Sequence, residues 1–166
     1  MSVIAHLLPA YHFNRTRTLG LLDKLEQEGN INALGWRPGT GRAHIAWQLM
    51  HVGITEEIFA TERLNPAKPG CFTELWPRYR GGSTPDDSIP SINEIRGTLS
   101  SGREHLLETL AGYDDSRLSE IPPSLKERKL TVLDVLHIIS WHEAHHQGQA
   151  HLTYNLFRAQ DAAKNL

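Results

Sequence analysis

Residues 131–151 read TVLDVLHIISWHEAHHQGQAH. Thr131 is a good helix N-cap, and Asp134 in the first turn suits the positive end of the helix dipole. Behind them Val135, Ile139, His142, His146 and Gln149 recur at helical spacing. Residues 132–139 are rich in β-branched side chains, but they run straight into this pattern. The spacing therefore predicts one long helix over about 131–159 rather than a strand. His142 and His146 stand four apart, so their imidazoles stack on one face.

Three more helical patterns precede it. The first covers about 7–28, with Leu19, Leu22 and Leu25 at helical spacing and Gly29 and Asn30 as stop signals. The stretch 30–41 carries Gly35, Pro38, Gly39 and Gly41 and reads as a loop. The second pattern covers about 42–64 and ends before Asn65-Pro66. The third begins with the capping-box pair Ser91 and Glu94, continues through Ile92, Ile95, Leu99, Leu106 and Leu110, and stops near Gly112. Gly97 and Gly102 should weaken that helix. Between the second and third patterns lies a Pro/Gly-rich connection over 65–90, with Phe72, Trp76 and Tyr79 as aromatic anchors. A connection this long is expected to lie across the body or border a site. No alternating strand pattern and no internal repeat is visible. The expectation is a single all-α domain over 1–166, an antiparallel four-helix bundle with a long loop between helices 2 and 3.

Composition supports one globular domain. The chain has 166 residues, 39% hydrophobic and 22% charged, enough to bury a core without disulfide support. Its formal charge of −2 argues against broad capture of nucleic acid. The single cysteine, Cys71, excludes an intrachain disulfide and any multi-cysteine metal site. The start MSVIAHLLPAYHF has no basic n-region and no long apolar run, and no stretch is long enough for a membrane helix. These features give the expectation of a cytoplasmic protein with no membrane partner.

Ten histidines are unusual for this length, and His137, His142, His145, His146 and His151 crowd one helix. In the second pattern Trp47, His51, Ile54 and Ile58 share a stripe that should face the core. If that stripe meets the fourth helix, His51 joins His142 and His146. Burying three imidazoles with no ion is costly, since each has two nitrogens to satisfy. Three protein ligands leave a coordination position open, the catalytic pattern for zinc. Imidazole suits other first-row metals too, so the donor set alone does not choose the ion. His44 could line the mouth of a pocket and His145 its edge. His142-Glu143-Ala144-His145-His146 also satisfies H-E-x-x-H, in which Glu143 would be a peptidase's general base. The extended form of that motif fails, because Gly148 and His151 each fall one residue early.

Two segments carry a family resemblance. HIAWQLMHVG at 44–53 and LHIISWHEAHHQGQA at 136–150 resemble helices 2 and 4 of the DinB-like (YfiT-type) metal-binding proteins. YHFNRT at 11–16 is similar, more weakly, to the family's first helix. Gln147 departs from the arginine common there. The resemblance implies a divalent metal, zinc or nickel, held by His51, His142 and His146. It implies a homodimer and a small-molecule substrate. The implied activity is thiol S-transfer with a low-molecular-weight thiol, or metal-dependent hydrolysis. A non-catalytic metal-stabilised bundle is the alternative. No catalytic side chain beyond the ligands stands out.

Overall fold

The computed structural model describes residues 2–164, all of it helical or looped, with no strand among the described residues. Five α-helices follow in order: α1 (Val3–Gln27), α2 (Ile45–Ile58), a single turn α3 (Trp76–Tyr79), α4 (Ile92–Leu110) and α5 (Val132–Lys164). The four long helices correspond to the four sequence patterns. α2 packs on α4 and α5, and α5 also packs on α1. No described helix is long and apolar enough to cross a membrane.

The helix ends follow local chemistry. The Ser91/Glu94 capping box forms in full, with the Glu94 N–H 3.3 Å from Ser91 Oγ and the Ser91 N–H 2.8 Å from Glu94 Oε2. Thr131 and Asp134 make the same reciprocal pair at the start of α5. α1 ends in a Schellman motif: Gly29 turns left-handed at φ 68, and the Asn30 N–H donates to the Leu25 carbonyl at 2.9 Å.

Three boundaries differ from the sequence expectation. α1 starts at Val3 and runs through Pro9. Ser2 accepts from the Ala5 N–H and Asp115 from the Val3 N–H, which ties down the first turn ahead of the proline. The second pattern is not one α-helix. After Ile58 the chain widens into a π-helical turn, Phe59–Arg63, in which the Leu64 N–H reaches back to Phe59. The connection over 65–90 is not a plain loop, because it contains a 3₁₀ turn at Thr73–Leu75 and then α3.

α2 and α4 touch backbone to backbone. A Cβ on Gly53 would stand 2.7 Å from the Thr98 carbonyl oxygen, and one on Gly102 would strike the Gly53 carbonyl. Glycine is required at this crossing because nothing larger fits.

The core has two apolar clusters. Leu22, Leu49, Leu99 and Ala150 belong to one; Tyr11, Ala60, Leu106 and Ile139 belong to the other. Each long helix buries one member of a charged quartet near the junction of the two clusters: Arg15, Glu56, Arg103 and Glu143. All four are buried, at 8%, 2%, 7% and 2% exposure. They form a closed ring of alternating sign. Arg15 bonds Glu56 at 2.8 Å and Glu143 at 2.7 Å; Arg103 bonds Glu56 at 2.5 Å and Glu143 at 2.6 Å. The remaining guanidinium donors reach the Leu99 and Tyr11 carbonyls. Burial alone would lower the Arg15 pKa, but the two carboxylates overcome it and hold the guanidinium above its ordinary value. A buried charge is tolerable only when paired and hydrogen-bonded, and the ring meets that condition four times.

Candidate metal centre

α2 and α5 bring His51, His142 and His146 together. One nitrogen from each lies within 4.8 Å of the others. His51 Nε2 and His142 Nε2 are 3.0 Å apart. Two nitrogens bound to one tetrahedral zinc would stand about 3.3 Å apart. Among the described residues no cysteine or carboxylate joins the three.

His51 is held from both sides. Its ring stacks on Trp47, four residues back on the same helix, with centroids 4.8 Å apart and planes 15° from parallel. Its Nδ1 lies 2.6 Å from the Tyr79 carbonyl. A carbonyl only accepts, so Nδ1 carries the proton and Nε2 presents its lone pair to the other imidazoles. This is how metal-binding histidines are usually oriented. Trp47 is fixed in turn by its indole N–H, which donates to the Arg78 carbonyl at 3.1 Å. α3 and the residues beside it therefore supply backbone acceptors to the site. His146 Nδ1 faces Gln48 Oε1 at 3.4 Å, which leaves its Nε2 free to turn inward.

The environment keeps these rings neutral. Burial pushes His51 below its ordinary pKa, against the opposing Tyr79 bond. His142 is driven down to about 3, first by burial and then by His51, His146 and His145. His146 is driven to about 3 by burial, then by His51 and His145. A metal needs bare imidazole nitrogens, and burial disfavours protonation of all three rings. The residues therefore fit a divalent ion by donor type, spacing and protonation.

The other candidates fall elsewhere. His44 is buried at the start of α2. It caps α2, its Nδ1 accepting from the Trp47 N–H at 3.0 Å. His145 sits at the edge as expected, exposed, stacked on Trp141 and 2.9 Å from Gln149. Glu143 gives no support to the H-E-x-x-H reading. Both of its oxygens accept from ring arginines, so it offers no free carboxylate to a substrate water. Cys71 is exposed and stands 3.3 Å from His105, away from the centre.

A cavity of about 280 Å³ opens on the centre; His51, His142, Thr55, Ile58 and Phe59 line part of it. The π-helical turn that follows α2 thus begins at the cavity wall. Gln48, which faces His146, also lines a larger cavity of about 500 Å³ with Pro38, Leu152 and Leu156.

An all-helical protein with three convergent, neutral imidazoles on two facing helices is thereby defined. A family profile described as the DinB superfamily matches residues 10–150. The chain belongs to that superfamily. Comparison with curated proteins found no match.

Proposed function

We propose that this protein is a metal-dependent enzyme in which His51, His142 and His146 hold a divalent ion, zinc or nickel. The proposed reaction is transfer of a low-molecular-weight thiol onto an electrophilic small molecule. The observation that carries the reading is the cavity beside a three-nitrogen centre that no fourth ligand joins among the described residues. A closed structural site would need a fourth donor and no adjoining space. A divalent ion here would lower the pKa of a bound thiol or water and so furnish a nucleophile near neutral pH.

The chain's own residues perform the remaining tasks. Tyr79 and Trp47 fix the His51 ring, Gln48 orients His146, and burial keeps all three imidazoles deprotonated. Hydrolysis would use the same centre with water as nucleophile.

A homodimer is part of the proposal. Trp141, Leu152 and Leu156 share one face of α5 and are 59%, 59% and 44% exposed, a row that a second copy would cover. Light scattering should show a dimer in wild type and a monomer in Trp141→Glu.

The decisive test is elemental analysis of untagged wild type beside a His51→Ala, His142→Ala variant. About one equivalent of a first-row metal in wild type, lost in the variant, supports the centre and directs a screen of thiols against electrophiles. A wild type that neither carries metal nor takes up zinc or nickel on titration sinks the enzyme reading.

A further inference from the structure

The 280 Å³ cavity has a second wall that the metal chemistry does not use. Besides His51 and His142 it is lined by Arg63, Arg80 and Arg128. These three come from separate segments: the π-helical turn after α2, the residue following α3, and the turn before α5. In a chain of net charge −2, three guanidiniums around one small cavity are not a reflection of overall basicity.

Their charge is only partly met. Glu62 Oε1 lies 2.8 Å from Arg63 and 3.7 Å from Arg80. Arg63 also reaches the Ser124 carbonyl at 3.5 Å. Arg128 makes no hydrogen bond or ion pair among the described residues. One carboxylate against three guanidiniums leaves the wall positive before any metal is added. A guanidinium presents its donors as a planar fork that matches a carboxylate or phosphoryl group, and it stays charged at every working pH. The cavity is below the usual size for a large ligand, so its occupant is compact.

We infer that this cavity binds a small molecule with an anionic group, carboxylate or phosphoryl, at one end and a metal-binding donor at the other. The anion lies against Arg63, Arg80 and Arg128, and the donor reaches the side of His51 and His142. This rests on the metal reading above and specifies the class of ligand that the site selects.

The test uses the full chain loaded with cobalt(II) at low salt. Cobalt d–d absorption reports the metal, and thiolate-to-cobalt charge transfer reports ligand binding. Three probes are titrated: mercaptoacetate, mercaptomethylphosphonate and neutral mercaptoethanol. The anionic probes should bind at least about tenfold tighter than mercaptoethanol, and Arg80→Ala and Arg128→Ala should each weaken the anionic probes several-fold more than mercaptoethanol. Glu62→Gln, which removes the competing carboxylate, should tighten the anionic probes. The anion that loses more in the arginine variants identifies the group recognised. Absence of cobalt uptake in wild type overturns the metal reading and this inference together. Cobalt uptake with no preference for the anionic probes, or with a preference that the arginine variants leave intact, overturns this inference alone.

Discussion

Arg103 Nη2 lies 2.6 Å from Glu143 Oε2, joining α4 to α5 through a contact that is over nine-tenths buried on both sides. The same guanidinium holds Glu56 on α2, and Arg15 on α1 closes the ring. The four long helices are thus locked in register by one charge each, at the layer where the two apolar clusters meet. Glu143 is next in sequence to His142, and Glu56 lies five residues past His51. The ring therefore anchors the helical segments that carry all three imidazoles.

Removing one member of the ring should cost far more than removing a surface charge. Glu143→Gln leaves two guanidiniums facing one carboxylate in the interior, and the loss of stability should be about 3–5 kcal/mol. Replacing an oppositely charged pair together, Arg103→Met with Glu143→Leu, restores neutrality, so the double variant should be more stable than either single one. Urea denaturation of metal-free protein measures both. A Glu143→Gln variant as stable as wild type would mean that the ring contributes nothing.

Two glycines on long helices should respond to alanine with opposite signs. On Gly102 the new methyl would meet the Gly53 carbonyl, and overpacking of that kind costs about 1–3 kcal/mol. On Gly20 it would meet nothing within 4 Å, so helix propensity alone acts and the gain should approach about 1 kcal/mol. Melting temperatures of the two variants decide the matter. Equal shifts would show that α2 and α4 do not meet as closely as the structure has them.

The residues behind these two predictions show what a sequence conceals. Helices α4 and α5 were legible because Ser91/Glu94 and Thr131/Asp134 are local devices whose partners lie three residues apart. His142 and His146 were legible for the same reason, their spacing being a property of one helix. His51 required only the further step that two apolar stripes face each other. The ring was not legible. Arg15, Glu56 and Arg103 carry no local signal of pairing, Glu143 reads as the acid of an H-E-x-x-H motif, and what pairs the four is tertiary. The one signal was that Arg103 sits on the stripe of Leu99, Leu106 and Leu110, where a solvated residue would be out of place. Tyr79 is legible as an aromatic anchor but not as a partner of His51, because it acts there through its carbonyl, which every residue possesses. In the sequence Gly102 reads as a weakness of α4; its reason is the backbone of α2 lying against it.

His44 should make α2 sensitive to acid. Its Nδ1 accepts from the Trp47 N–H, and its Nε2–H donates to the Asp86 carbonyl at 2.9 Å. Only the neutral ring can do both. Burial lowers its pKa first, and Arg37 adds to this; the Asp86 carbonyl and the Asp86 and Asp87 carboxylates oppose them without prevailing. The folded value therefore lies below the unfolded 6.5. The cap's contribution is complete above 6.5 and erodes as the pH falls beneath it, because protonation then favours the unfolded chain. Asparagine also accepts at an N-cap but does not titrate. Urea melts on both sides of pH 6.5 should show wild type losing more stability in acid than His44→Asn. Parallel losses would assign the acid sensitivity entirely to other groups.

Metal removal should reach stability as well as activity. A ligand that binds the folded chain alone stabilises it by mass action, by about 4 kcal/mol when the free ion is a thousandfold above its dissociation constant. In a domain of this size such a change moves the melting temperature by roughly 10 °C. Zinc added to chelated wild type should raise the transition by an amount of that order, and excess chelator should reverse it. His142→Ala, His146→Ala protein retains the ion-pair ring and both apolar clusters, so it should fold and give a clean transition. That transition should not respond to zinc, because a single remaining imidazole on α2 cannot hold the ion. A double variant that still shifts by the same amount would place the bound metal away from α5.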